Sequence, residues 1–402
     1  MAPPDSHPVP RPFEGIRVLD LTHVLAGPFC AYQFAVLGAD VIKIEPPHTP
    51  DCARGRGPDD ALNAAGLGIN YQVQGANKRA LALDLAEPRG RALFLRLVDG
   101  ADVVIENYRT GALAALGLGA DVLTARNPRL VHCSLTGYGA VGDRAGVNAY
   151  DNVIQATSGL RARTGTAETG PLKAGASVID YASGYAAAFA IAAALVQRTR
   201  SGRGQTIDCA MFDTALTLMA PEASAARYTG MRAPRPAEAG LGAYRTADGV
   251  LLMLGAFNVR QNRRLWQALG RSDFASIDDW NGLWAASDAM REALAAAFIT
   301  RTATEWEHLL HGIGVPAERV RRLDEAVRMP HLATRGLFAD VASAVPGAAP
   351  APLPVAAFRY REAGPELTRP PPRHGEHSAE ILADLGCSAD EIAALRADGV
   401  IA

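Results

Sequence analysis

The sequence predicts an α/β fold: a large domain built on a Rossmann-like parallel sheet, joined to a small α+β domain. Two observations give the sheet. A strand–helix–strand order runs from Ile16 to Glu45 and recurs from Ala80 to Glu106, and parallel strands need crossover helices of this kind. A third gives the second domain: the composition changes around Arg227–Gly240, which is rich in Pro, Gly and Arg, and a different pattern follows.

The elements follow in order. Ile16–Leu21 (IRVLDL) suits a buried strand, Pro28–Leu37 a helix, and Val41–Glu45 (VIKIE) a second strand. Ala80–Leu85, Pro88–Val98 and Val103–Glu106 repeat the pattern, with proline at the first helical turn where its missing N–H is harmless. Arg129–Ser134 and Thr206–Cys209 add strands. Beyond the composition shift, Tyr244–Leu254 (YRTADGVLLML) places an Asp-Gly turn between extended runs, a hairpin signal. Helices are expected around Val259–Leu269, Asp288–Ile299 and Thr304–His311. Two proline-rich linkers, Val345–Pro354 and Arg369–Arg373, precede a final helical pair, the last helix starting at a Ser388/Glu391 capping box. The divisions are residues 1–225 for the sheet-bearing large domain, 226–334 for the small domain, and 335–402 for a linker and C-terminal part.

Composition removes several function classes. Charged residues make up 20% of the 402 positions, and 40 basic against 42 acidic residues leave a formal charge of −2 with no basic stripe for nucleic acid. Cys30, Cys52, Cys133, Cys209 and Cys387 are scattered, fitting neither a disulfide framework nor a zinc site and pointing to a reducing cytoplasm. Met1–Pro12 has no apolar core and reads as a frayed tail rather than a signal peptide. Ala182–Val196 is alanine-rich and short of the roughly 20 strongly apolar residues of a membrane span, so it reads as a buried helix.

Motifs with chemical meaning are few. Gly137–Gly142 (GYGAVG) has dinucleotide spacing and follows a strand, but no helical period opens at its third glycine, so it reads as a flexible loop lining a site. Asp180 stands just before the alanine-rich helix. Its local reading is an N-cap that accepts amide hydrogen bonds, which would also keep it ionised and fit to act as a nucleophile. His308/His311 and His374/His377 are spaced three apart without further ligands, so no metal site is expected. Neither a G-x-S-x-G elbow nor a P-loop occurs.

Taken together, a series of segments resembles the class III CoA-transferases, the CaiB/BaiF family, along nearly the whole chain. They are Gly15–Pro28 (GIRVLDLTHVLAGP), Leu37–Pro46 (LGADVIKIEP), Asn77–Leu85 (NKRALALDL), Ala101–Gly117 (ADVVIENYRTGALAALG), Tyr150–Gly159 (YDNVIQATSG), Ile179–Gly184 (IDYASG), Ser201–Gln205 (SGRGQ) and Gly375–Gly386 (GEHSAEILADLG). The resemblance implies an interlocked-ring homodimer in which the C-terminal part, residues 335–402, returns to the large domain. Each subunit would use CoA and acyl-CoA as substrates, hold no permanent cofactor or metal, and engage neither nucleic acid nor membrane. The family's nucleophilic aspartate falls on Asp180. A carboxylate suits that work because a mixed anhydride and then an aspartyl-CoA thioester keep the acyl group activated. CoA would lie at the carboxyl ends of the strands, against Val24, Leu25, Ala26, Leu83, Asp84, Leu85, Asn107, Tyr108 and Arg109, with Arg54 and Lys78 paired to phosphates. Where many members carry a further arginine, this chain has Ala115.

Departures from the family bear on substrate. Leu25 replaces the glutamine of oxalate-using members, and their glycine-only substrate loop is missing, Leu254–Asn258 (LGAFN) being the nearest material; oxalate is therefore not expected. Tyr150 stands where racemases place a histidine base, and a phenol does not take up a proton at neutral pH as imidazole does. Leu25 and Tyr150 are thus the expected substrate-side residues. Arg227, Arg232, Arg235, Arg245, Arg260 and Arg263 could hold a second carboxylate, which suggests a dicarboxylate such as succinate. The alternatives are an acyl-CoA racemase of the same family and a non-catalytic acyl-CoA binder.

Overall fold

Six short strands lie side by side as one parallel sheet: β1 (Arg17–Asp20), β2 (Asp40–Glu45), β3 (Lys78–Ala82), β4 (Val103–Glu106), β5 (Val131–Thr136) and β6 (Thr206–Ala210). Their spatial order is β3-β2-β1-β4-β5-β6, so the chain reverses its direction of travel between β1 and β4. That reversal opens a crevice at the carboxyl ends of the two central strands. The computed structural model describes residues 9–165, 169–230, 238–343, 345 and 347–402. The sheet belongs to the larger of two units, which runs to Ser224 and resumes at Arg335–Ala402; the smaller is Ala225–Thr334.

Both sheet faces are covered, because successive strand residues point to opposite sides. Val18, Val41, Val103, Ile105 and Cys133 join Phe34 and Ile191 in one core, while Leu19, Ile42, Ile44 and Val104 join Phe94 and Leu97 in the other. The first core is roofed by helix α1 (Ala26–Val36), the second by α2 (Pro88–Asp99). A short helix α3 (Asp151–Thr157) precedes α4 (Val178–Ser201), whose 24 residues extend the predicted Ala182–Val196 stretch by about a turn at each end. By length and composition α4 could cross a membrane. Here its Ile179, Ser183, Ala187, Ile191 and Leu195 stripe is buried in the sheet core, while Tyr185, Phe189 and Val196 are exposed.

β3 begins earlier than the apolar pattern predicts, at Lys78 rather than Ala80. The two leading cations are buried because carboxylates meet them: Lys78 Nζ lies 2.8 Å from Asp20 Oδ2, and Arg79 pairs with Asp40, Glu380 and Asp384. A search for apolar runs starts such a strand two residues late.

The smaller unit is an antiparallel sheet of β7 (Ala243–Arg245), β8 (Leu251–Leu254) and β9 (Ala317–Arg319), with α5 (Val259–Ala268), α6 (Ser287–Phe298) and α7 (Ala303–Gly312). The hairpin forms at the Asp-Gly signal, with Gly249 at φ 77°. Its core centres on Trp266, Phe298, Trp306 and Leu252.

Of the proline-rich segments read as linkers, Val345–Pro354 contains a strand. β11 (Ala351–Pro354) pairs antiparallel with β10 (Phe338–Val341), in a two-stranded ribbon where a proline can face outward without breaking a ladder. The chain then returns to edge strand β3, whose Ala80 and Ala82 amides donate to His377 Nδ1 and Ser378 Oγ. Helices α8 (Ser378–Asp384) and α9 (Ala389–Ala397) complete the second core with Ile381, Leu382, Ile392 and Leu395. An edge that would invite another strand is thereby covered.

Candidate active site

The crevice at the strand-order reversal is a cleft of about 280 Å³. Its walls are His23–Ala26 after β1, Asn107–Thr110 after β4, Leu135–Gly137 at the end of β5, the 145–150 segment, Met211, and Asp180 in the first turn of α4. Of the residues expected at a CoA site, Val24, Leu25, Ala26, Asn107, Tyr108 and Arg109 stand here, together with Tyr150 and Asp180. The glycine loop contributes Gly137, and no helix opens at Gly142.

The remaining expected residues lie elsewhere. Leu83 and Leu85 are buried in the core with Ile392 and Leu395, and the Asp84 amide donates to the Val400 carbonyl. Arg54 is 3% exposed and grips Glu45 with two nitrogens, Nε to Oε1 at 2.9 Å and Nη2 to Oε2 at 2.6 Å, while its ring-facing side stacks on Tyr71. Lys78 is fully buried between Asp20 and the Pro28 carbonyl. Both cations already have internal partners, which corrects the expectation that they face phosphates. The pairing with Glu45 also holds that carboxyl down at about 2, against its burial. Among the suggested carboxylate-holding arginines, Arg245 donates to the Gly249 carbonyl of its own hairpin, Arg227, Arg260 and Arg263 are exposed, and Arg232 and Arg235 lie outside the described residues.

Asp180 differs from its local reading. It sits inside the helix, after N-cap Ser177, and its side chain does not cap. Asp151 does that work from α3: its Oδ2 accepts the Ile179 amide at 2.8 Å and the Asp180 amide at 3.3 Å. Asp151 Oδ1 in turn accepts Gln155 Nε2 at 2.6 Å, and Gln155 Oε1 accepts the Ala174 amide. With the helix start served by a neighbour, the Asp180 carboxyl group has no hydrogen-bond partner among the described residues. Its pKa is pushed up to about 7, first by burial and then by the charge of Asp151, with Lys173 opposing. The expectation that helix amides keep it ionised is therefore corrected: those amides are occupied by Asp151.

Several residues of the site were not singled out by sequence. His23 is half-buried on the cleft wall, its ring edge-on to Tyr108 at 5.5 Å, and burial with the nearby Lys43 charge depresses its pKa. Asp151 and Gln155 carry a faint signal, the i,i+4 spacing that puts both on one helix face. Asn107 lines the cleft, but its amide group is turned to the backbone of His23.

Comparison with known proteins bears on this site. The family model described as CoA-transferase family III matches residues 13–378. The chain is 35% identical to a succinate–glutarate CoA-transferase of Agrobacterium fabrum, covering 93% of this chain and 96% of that protein. It is 33% identical to a succinyl-CoA–D-citramalate CoA-transferase of Chloroflexus aurantiacus, with 98% of each covered. Among solved structures, a CaiB/BaiF family protein from Brucella suis superposes with a TM-score of 0.79 at 31% identity, covering 94% of this chain and all of that one.

Proposed function

The chain belongs to CoA-transferase family III, and we propose that it moves CoA from an acyl-CoA donor to a carboxylic acid through covalent intermediates on Asp180. The observation that carries this reading is the unpartnered Asp180 carboxyl group on the wall of the cleft, its helix-capping duty taken by Asp151. Once ionised, an Asp180 oxygen attacks the thioester carbonyl; the C–S bond breaks and CoA leaves as thiolate, giving a mixed anhydride. The thiolate attacks the aspartyl carbonyl of that anhydride, and the donor acid leaves as carboxylate. The acceptor carboxylate then attacks the aspartyl-CoA thioester, and the same two steps run in reverse. The acyl bond energy passes along each exchange and never reaches water.

A dicarboxylate is the proposed acid. The names of two relatives, acting on succinate and glutarate or on citramalate, support it. So does Arg109 on the cleft wall, a guanidinium suited to a second carboxylate or to a CoA phosphate. A homodimer is part of the same reading, supported by the apolar Tyr185, Phe189 and Val196 face that α4 leaves exposed; light scattering on the purified protein tests it.

The test of the chemistry is mass spectrometry after incubation with succinyl-CoA, trapping with hydroxylamine or borohydride. The expected result is a mass change confined to Asp180 and absent from Asp180→Ala. Near-normal transfer by Asp180→Ala would defeat the mechanism. Exchange of the α-proton with deuterated water, without any adduct, would move the protein to racemisation.

A further inference from the structure

The segment joining β1 to α1 adopts a conformation its residues do not favour. Val24 has φ 72°, in the left-handed region that a β-branched residue almost never enters. Such a conformation persists only where its surroundings over-determine it.

The surroundings here are side chains. The Thr22 amide donates to Asp20 Oδ1 at 3.0 Å, and the Thr22 carbonyl accepts from Lys43 Nζ. The His23 amide donates to Asn107 Oδ1 at 2.8 Å, and the His23 carbonyl accepts from Asn107 Nδ2 at 2.9 Å. The Val24 amide is shared by both oxygens of Asp51 at 3.1 Å, and the Val24 carbonyl accepts from Gln74 Nε2 at 3.1 Å. Every backbone polar group of three consecutive residues is thus held by a side chain. Asp20, Lys43, Asp51 and Gln74 are all buried, and none of them lines the cleft.

The clamp is itself braced. Lys43 Nζ lies 3.4 Å from Asp51 Oδ2, and the Asp51 amide donates to Glu45 Oε1, the carboxylate that Arg54 grips. This gives Arg54 a purpose away from any phosphate: it anchors the far end of the chain that fixes Val24. On the near side, a Cβ at Gly27 would come within 2.4 Å of the Thr22 side chain, so the first turn of α1 presses directly on the loop. His23, Leu25 and Ala26 therefore take their places on the cleft wall from the kink at Val24.

We propose that Asp51 and Asn107 are positioning residues of the transfer reaction, holding the Thr22–Val24 kink so that one wall of the cleft is set before acyl-CoA arrives. This rests on the reading of the cleft as the transfer site. Neither residue need touch substrate for a rate effect, since misplacing a site wall by about 1 Å is enough to cost on the order of 100-fold.

The test uses the full-length protein with succinyl-CoA as donor and free CoA as binding probe. Asp51→Asn is expected to slow formation of the Asp180 adduct at saturating succinyl-CoA by roughly 10- to 100-fold, to leave the Kd for CoA within about threefold, and to speed amide exchange across residues 22–26. Asn107→Ala should share the exchange signature, and serves if Asp51→Asn does not fold. The decisive readout is Val24→Gly, because glycine takes a positive φ without strain. In its background, Asp51→Asn should cost several-fold less than in the wild-type background. An equal cost in both backgrounds would reduce Asp51 to general support of the fold and overturn the proposal. So would unchanged exchange in both clamp variants, a readout that needs no substrate. A wild-type protein that forms no adduct with succinyl-CoA would overturn the Asp180 reading instead, leaving the exchange measurement to decide the clamp.

Discussion

The carboxyl group of Asp180 is both unpartnered and partly buried, and its pKa of about 7 gives it two measurable consequences. Attack requires the ionised form, so the adduct-forming rate should rise with pH and level off above about 7. Asp151 is the second cause of that raised value. Asp151→Asn removes the charge, and its remaining oxygen can still accept the Ile179 amide. The midpoint of the pH–rate profile should therefore move to lower pH, which stopped-flow or quench-flow at several pH values would show; an upward shift would contradict the electrostatic account. Asp180 itself also couples to stability. Its native pKa lies above the ordinary 3.8, so the folded state holds the proton more tightly and loses stability as pH rises from about 4 to about 7. Asp180→Asn carries no such charge. It should be more stable than wild type by about 1–3 kcal/mol at pH 8, allowing for partial exposure, and by much less near pH 4. Urea titrations at the two pH values would measure the difference. At this scale the sequence was legible in one sense only. The family pattern located Asp180 and the residues around Val24 and Asn107, but a positive charge at Arg54 or Lys78 does not reveal its partner. Glu45 and Asp20 reach them through the fold, and only that contact distinguishes a buried ion pair from a free cation.

Asp180 is placed by the seating of α4 on α1, and that contact turns on a glycine. A Cβ at Gly184 would stand 2.7 Å from the Ala26 carbonyl oxygen and 2.8 Å from the Phe29 ring. Two effects compete in Gly184→Ala. Helix propensity favours alanine by about 1 kcal/mol, whereas forcing a methyl group against backbone costs about 1–3 kcal/mol. The close atom is a carbonyl at the start of α1, which cannot rotate away, so overpacking should win. Net destabilisation of up to about 2 kcal/mol is expected in chemical denaturation, together with slower adduct formation, since Asp180 lies one turn from the wedge. A gain in stability of about 1 kcal/mol would mean instead that the two helices yield without cost and propensity alone remains. Elements were more legible than contacts. Val103–Glu106 is bounded in sequence as in the structure because a short run, three apolar residues closed by Glu106 between polar turns, has few other uses. β3 was misplaced by two residues because its first two side chains are buried as ion pairs. β11 reads as a linker in sequence because Pro352 and Pro354 cannot donate to a ladder, although Ala351 and Leu353 alternate inward between them.

At the scale of the whole molecule the chain builds two units, each with core of its own, and the larger is discontinuous. Residues 335–402 return to cover β3 and to finish the core that Phe94 and Leu97 begin, so the larger unit is complete only when both chain segments are present. The sequence shows a change of composition near the start of the smaller unit, but the return of the C-terminal segment comes only from family resemblance, since no local pattern says which earlier strand Ser378–Asp384 will pack against. The distribution of tryptophan makes the division testable. All four tryptophans, Trp266, Trp280, Trp284 and Trp306, lie in the smaller unit, three of them in or against its core. Tryptophan fluorescence therefore follows that unit, whereas helical ellipticity follows both. Units with their own cores are able to unfold separately. Asp180→Asn at pH 8 stabilises only the unit that contains it, so it should move the ellipticity transition to higher denaturant and leave the fluorescence transition in place. Coincident shifts in both signals would show instead that the two units unfold as one cooperative body.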